Sequence, residues 1–340
     1  MSAVAEKLAE PLPPPAAGYW ATALRKLRRD RAAMAALVVL AVITLLCALA
    51  PFYARDVAHA DPFQSNLSGT TIVHGRRVEV LAPADNPLHL GIEPIGPTWR
   101  FGPYMLGADQ QGRDVAARLL YGGRNSLLIA FASAAICLIL AALTGLAAGF
   151  FGGWTDRIIS AVLDVIWAFP VFLLAISLSV VLIAHGVRIG PLLIDASSLS
   201  LPILIVGVIY VPYVARPVRG RVIQLRESEF VLASVGLGVP PWRILLIDIL
   251  PNVVSTLVVF APLIVALNML TESALSFLSI GVQPPHASWG TIIGNGEALI
   301  YTRPMVAIAP GIAIVLTVLA LNILGDGLRD ALDPRAKLRN

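Results

Sequence analysis

Glu229-Phe-Val-Leu-Ala-Ser-Val-Gly-Leu-Gly-Val-Pro-Pro-Trp-Arg-Ile-Leu-Leu-Ile-Asp-Ile-Leu-Pro-Asn252 is the stretch on which the reading of this chain turns. Glu229 to Leu237 can form a short helix with Phe230, Ala233 and Leu237 on one face. Gly238 can stop it in a left-handed cap, and Pro240 and Pro241 forbid its continuation. Trp242 to Leu250 then starts a second helix. The apolar face of such a compact helix is costly in water. It fits a groove on another protein or the surface of a bilayer, and the residues alone leave both open.

The surroundings of this stretch are those of a membrane protein. Of 340 residues, 57% are hydrophobic and 14% charged, and the mean hydropathy is +0.79. Soluble domains carry about 25% charge. A span needs about 20 apolar residues, and six stretches qualify: Ala32 to Ala54, Asn125 to Thr155, Ile158 to about Ala184, Ala196 to Ala215, Ile249 to about Val282, and Pro304 to Gly325. Backbone groups cannot stay unpaired in lipid, so these runs are expected to be helices in an all-α polytopic fold. Pro170, Pro202, Pro212, Pro262 and Pro310 are expected to bend or end some of them.

Basic residues set the expected orientation. Arg25, Lys26, Arg28, Arg29 and Arg31 precede the first span. Arg216, Arg219, Arg221, Arg226 and Arg243 lie between spans four and five, and Arg329, Arg335, Lys337 and Arg339 follow the last. Short loops of the other parity hold only Arg188 and Arg303. Both termini and the stretch around Glu229 are therefore expected in the cytoplasm. The net charge of +4 serves topology on this reading, and no nucleic-acid partner is expected. The first run resembles a signal peptide only superficially. It is too long, about 30 residues precede it, and Pro51 follows Ala48-Leu49-Ala50.

The expected organisation is a cytoplasmic tail over 1–30, a first transmembrane helix over 31–55 and an extracytoplasmic loop over 56–123. A five-helix core over 124–327 contains the cytoplasmic loop 216–251, and a second tail spans 328–340. The N-terminal Pro11 to Pro15 reads as part of a disordered tail. In the external loop, Thr70 to Leu81 is β-like with a turn at His74-Gly75.

Ala141, Gly145, Gly149 and Gly153 recur every fourth residue, a ridge of small side chains that lets another helix approach. Whether it packs within the chain or across a dimer is open at this point. Asp164 and Glu272 interrupt apolar spans, and charges there usually face a cavity or a partner. They are the leading candidates to line a translocation pathway, with Asn268, Thr271 and Asn322 behind them. The alternatives are a depth nearer the interface or a satisfied pair between helices.

No catalytic constellation is present. Gly107 to Gly112 echoes a phosphate loop, but Arg113 and Asp114 stand where Lys and Ser or Thr are needed. His59, His74, His89, His185 and His286 show no ligand spacing, so no metal is expected. Cys47 and Cys137 lie inside apolar runs and read as packing residues.

The stretch from Leu232 to Pro251 resembles the EAA loop of ABC importer permeases. That pattern is Glu-Ala-Ala, three residues, Gly, nine residues, Ile, one residue, Leu-Pro. Ala233, Gly238, Leu250 and Pro251 match it at that spacing. Leu232 replaces the Glu, Ser234 the second Ala and Asp248 the Ile. Glu229, one turn earlier, is expected to supply the missing carboxylate. Leu106-Gly-Ala-Asp-Gln-Gln-Gly-Arg-Asp114, Asp156 to Pro170, Ser276 to Pro285 with Ser288-Trp-Gly290, and Asn322 to Pro334 resemble segments of the C-type dipeptide/oligopeptide/nickel permeases.

The resemblance implies a type I importer permease fold in a bacterial inner membrane, with the loop acting as a coupling helix. Glu229, Phe230, Leu232, Ala233, Ser234, Leu237, Gly238 and Pro251 would carry that role. It also implies a homologous permease, two cytoplasmic ATPases that bind ATP and Mg, and an extracytoplasmic binding protein. No cofactor is then expected on this chain, which is no enzyme itself. Peptides are the expected substrate, with nickel, opines and other small solutes open. A secondary transporter or channel, the rival class, would need coupling-ion sites and commonly shows repeated halves. No clear repeat is visible.

Overall fold

The computed structural model describes residues 19–73, 75–83, 91–185, 187–189, 192–195 and 197–332. Pro11 to Pro15, His74, His89, Arg335, Lys337 and Arg339, all used above, lie outside the described residues. The chain is a helical bundle with small hairpins at its margin. Four helices are long and apolar enough to cross a membrane without interruption, and the count reaches six when each of two bent pairs is taken as one span.

Helix α1 (Tyr19–Arg29) precedes the first span. Asp30 separates it from α2 (Arg31–Ala48), its Oδ1 accepting the N–H groups of Ala32 at 2.9 Å and Ala33 at 3.2 Å. The path stays helical past Pro51, through Ala50–Phe52 and a π-helical turn, Tyr53–Val57. The span therefore runs a turn further than its apolar residues suggest.

The expected β patch forms an antiparallel hairpin, β1 (Thr70–Val73) with β2 (Arg76–Glu79), in the register Thr70 to Glu79. Two further hairpins were not foreseen. One pairs β3 (Leu81–Pro83) with β4 (Ile92–Pro94), and the other pairs β5 (Val187–Ile189) with β6 (Leu192–Ile194).

The central element is α3 (Val115–Phe151), 37 residues long. At about 1.5 Å per residue it measures ~56 Å and overruns a hydrocarbon layer of about 30 Å. It starts ten residues before the expected Asn125 because Asp114 caps it, Oδ1 accepting the Ala117 N–H at 2.9 Å. The polar Arg118 and Arg124 in its first turns hide this start from an apolar count.

The expected third span, Ile158 to Ala184, is two helices at 90°, α4 (Gly153–Ala168) and α5 (Val171–His185). Pro170 cannot donate to a helical ladder, and Phe169 before it takes an extended conformation. The fourth bends by 45° between α6 (Ser200–Ile209) and α7 (Val211–Arg226), with Pro212 in the first turn after the break. Pro202 sits harmlessly at the start of α6. Pro262 and Pro310 do not end their helices: α9 (Leu250–Phe277) and α11 (Met305–Leu332) run through them. Between α7 and α9 lies α8 (Glu229–Gly236), and between α9 and α11 lies α10 (Trp289–Gly296), which the apolar count missed.

Helix α3 packs most extensively on α7 and α9, and α2 lies against α11. Small residues allow the first of these contacts. A Cβ on Gly145 would stand 2.6 Å from Val218 Cγ1, and one on Gly149 would stand 2.7 Å from Val222 Cβ. With buried Ala141, these two glycines form a ridge that packs within the chain. Gly153 does not belong to it. Gly152 ends α3 with a φ of 64°, so the fourfold spacing no longer maps onto one helix face, and nothing lies within 4 Å of a Cβ on Gly153. Cys47 and Cys137 are buried free thiols in the packing between helices.

Candidate functional site: the helical elbow between α7 and α9

Helix α8 ends in a Schellman arrangement. The Val239 N–H donates to Ser234 O at 3.1 Å and the Gly238 N–H to Val235 O at 3.0 Å. Gly238 takes a φ of 75°, which a side-chain-bearing residue adopts only at a cost. Pro240 and Pro241 then start a new helical turn, Pro241–Arg243. It continues as a π-helical stretch, Ile244–Ile249, directly into α9. Pro251 has no N–H for the ladder and its ring crowds the carbonyl of the preceding turn. The wide π turn just before it relieves both conflicts. The second helix is therefore no separate element; it is the first turns of the span.

Only Val231 of α8 is buried, at 1% exposure, and α8 rests on the π turn and on the end of α7. The elbow is thus braced by both flanking spans. Its outer surface is apolar and open: Phe230, Leu232, Val235, Leu237, Trp242, Leu246 and Ile247 are all exposed, Leu237 at 83%. Glu229 and Ala233 are exposed and Ser234 is half-buried, its hydroxyl donating to Phe230 O. Val235, Trp242, Leu246 and Ile247 extend the surface beyond the residues expected from sequence. Their signal was present in the sequence, since all four are large apolar residues that precede Ile249, where the expected span begins.

Helix α7 leads into the elbow, and two ion pairs tie α4 to it. Arg219 holds both oxygens of Asp156, with Nη2 2.6 Å from Oδ2. Arg216 Nη2 lies 2.7 Å from Asp164 Oδ1, and its guanidinium stands 5.7 Å from the centre of the Trp167 ring. Trp167 stacks on Tyr213, which meets Phe260 of α9 edge-on. Asp164 is therefore an exposed, paired carboxylate. Asn322 is exposed on α11 and lines a cleft of about 390 Å³ with Tyr213, Phe260, Asp326 and Arg329.

The other expected pathway residues lie elsewhere. Glu272 is 0% exposed. Its Oε1 accepts from Ser276 at 2.7 Å and its Oε2 from Ser126 of α3 at 3.1 Å. Ser126 in turn accepts the Trp289 N–H at the start of α10. Asn268 donates to Ser133, and Thr271 bonds Tyr210 at 2.9 Å; both are fully buried. In this chain all three are buried polar ties between neighbouring segments. Ser126 on α3 and Ser273 and Ser276 on α9 supply hydrogen bonds to the Glu272 carboxylate.

Comparison with known proteins agrees with the helical bundle. The family described as "Binding-protein-dependent transport system inner membrane component" matches residues 141–338, and the "N-terminal TM domain of oligopeptide transport permease C" matches residues 18–69. A dipeptide transport system permease protein of Alkalihalophilus pseudofirmus is 33% identical over 96% of this chain and 94% of its own. An oligopeptide transport system permease protein of Haemophilus influenzae is 32% identical over 93% of this chain and 88% of its own. A glutathione transport system permease protein of Pectobacterium atrosepticum is 38% identical over 69% and 73%. Among solved structures, a chain of the inward-facing MetNI methionine ABC transporter superposes with a TM-score of 0.51 at 20% identity, over 63% of this chain and 96% of that one. The matched profile covers the elbow and the spans on both sides of it, and a third of the residues are shared with a full-length relative. The chain belongs to the binding-protein-dependent transport system inner membrane component family, the multi-pass permease subunits of ABC importers.

Proposed function

We propose that this chain forms half of the translocation pathway of a peptide importer, and that α8 is the handle by which a cytoplasmic ATPase works it. The observation that carries the reading is the open apolar surface of a rigidly capped helix braced against two spans. Such a surface costs free energy in water and calls for a partner groove. Peptide as the substrate rests on the names of the dipeptide, oligopeptide and glutathione permeases it is similar to.

In this reading both termini and α8 face the cytoplasm, residues 56–123 face outward, and a homologous permease completes the pathway. Two ATPases holding ATP and Mg dock at the two coupling helices, and an external binding protein delivers the peptide. ATP binding favours one arrangement of the ATPase pair, and α8 passes that preference to α7 and α9. Asp164 and Asn322, exposed in the single chain, remain the pathway candidates, and Glu229 supplies the carboxylate that Leu232 lacks.

Co-purification tests the reading. A soluble ATPase should come down with the wild-type assembly, and Leu237→Asp with Trp242→Asp should release it while the permease pair stays together. Full ATPase recovery with both aspartates in place would refute the docking role.

A further inference from the structure

At the end of the bundle opposite α8 lies a chamber of about 770 Å³ between the start of α3, the end of α9 and α10. Arg113 and Arg118 form part of its wall, and Gln283, His286, Thr291 and Glu297 contribute elsewhere. Its volume falls in the range of small-molecule sites, about 300–1,000 Å³.

The arginine wall carries more positive charge than it compensates. Asp109 is 1% exposed, and its Oδ1 is occupied by the N–H groups of Gln111 at 2.9 Å and Arg113 at 3.1 Å. Its Oδ2 takes both Nε and Nη2 of Arg113 at 2.8 Å. Arg118, 3% exposed, donates through Nη1 to Pro62 O at 2.9 Å. Its Nε lies 3.5 Å from the same Asp109 Oδ2 and makes no hydrogen bond. Two guanidiniums thus share one saturated carboxylate, and the buried Arg118 Nε is left without an acceptor. Such a donor is costly to leave unmade, and a carboxylate is the group whose geometry a guanidinium fork matches. Glu297, on the turn that leaves α10, is the exposed acid of the same chamber.

We propose that this chamber receives a peptide before it enters the pathway, its free carboxylate at Arg113 and Arg118 and its free amine at Glu297. The inference rests on the peptide-import reading and adds to it a place and an orientation for the substrate. A concave site with a buried guanidinium suits a small peptide better than a carboxylate on a protein surface, which reaches such a wall only on an inserted loop.

The test uses the assembly of permeases, ATPases and binding protein in proteoliposomes. The probes are trialanine, its C-terminal amide and its N-acetyl form, each saturating the binding protein. The wild type should import the free acid about tenfold more efficiently than the amide. Arg113→Gln lets Arg118 pair one-to-one with Asp109, and should bring that ratio close to one; Arg113→Lys, which keeps the charge, should retain most of it. Glu297→Gln, at an exposed position, should remove the preference for the free amine, and decides the matter if Arg113→Gln fails to assemble. Unchanged preferences in the variants overturn the inference alone. So does an equal fall for all three probes together with weaker docking of the binding protein, which would assign the wall to an acidic group of that protein. A wild-type assembly that imports none of the probes overturns the import reading and this inference with it.

Discussion

Arg219 of α7 grips the Asp156 carboxylate of α4 with two parallel hydrogen bonds, two turns before α7 ends at Arg226 and the elbow begins. The pair fixes α4, which opens the third span, to the helix that leads into α8. Both side chains are partly open to solvent, so the geometry counts for more than the charge.

Asp156→Asn keeps the shape and loses the bidentate ionic contact. We expect a loss of about 1 kcal/mol, read as a lower thermal midpoint in detergent. Arg219→Gln should cost a similar amount, and the double variant little more than either. Additive losses would show that the two residues act independently.

The α3–α7 seam should be far less forgiving at Gly145 and Gly149 than at Gly220. Leu at Gly149 drives into Val222 and Arg219 O, and overpacking of this kind costs about 1–3 kcal/mol. Gly220→Ala meets nothing within 4 Å in the middle of α7 and should be neutral or stabilising by up to about 1 kcal/mol. Thermal midpoints of the purified permease compare them directly, and equal effects would contradict the ridge.

Glu272 offers a separation of stability from selectivity. Glu272→Ala strands the hydroxyls of Ser126, Ser273 and Ser276, which donate to its carboxylate, and should cost about 2–4 kcal/mol. Glu272→Gln should leave the order of preference among transported peptides unchanged, because the side chain is enclosed between helices. A changed order in uptake competition would return Glu272 to the pathway.

Gly238 separates backbone from contact. Gly238→Val forces a β-branched residue to a φ of 75°, while Asn tolerates that region. Val should uncouple ATP hydrolysis from transport or unseat the ATPase, and Asn should retain most coupling. A Cβ there meets nothing within 4 Å, so a steric clash inside the chain cannot account for the difference. Equal behaviour of the two variants would argue that the cap conformation is dispensable.

Much of this molecule was legible in its sequence, and the gaps have physical causes. Long apolar runs announced the spans, and Gly238 with Pro240 and Pro241 announced the elbow, because these features act locally. Pro170 announces a bend or an end, but the 90° turn there is not legible, since an apolar count does not register direction. Extending the small-residue ridge to Gly153 failed because fourfold spacing carries no information about where a helix ends. The sequence left Glu272 open between a pathway and a polar tie between helices for a different reason. Its partner Ser126 is 146 residues away, and a carboxylate among apolar neighbours reads the same whether it faces a cavity or a ring of serines. Helix α10 escaped because eight residues are too few to qualify as a span.

The central claim is that the α8 surface is cytoplasmic and covered by an ATPase. Accessibility of Leu237→Cys to a membrane-impermeant maleimide tests it most directly, in a background where buried Cys47 and Cys137 are replaced by Ser. In inside-out vesicles the thiol should react quickly once the ATPases are stripped and be protected when they are restored. Labelling from the outside of intact cells, or an equal rate with and without the ATPases, would contradict the account.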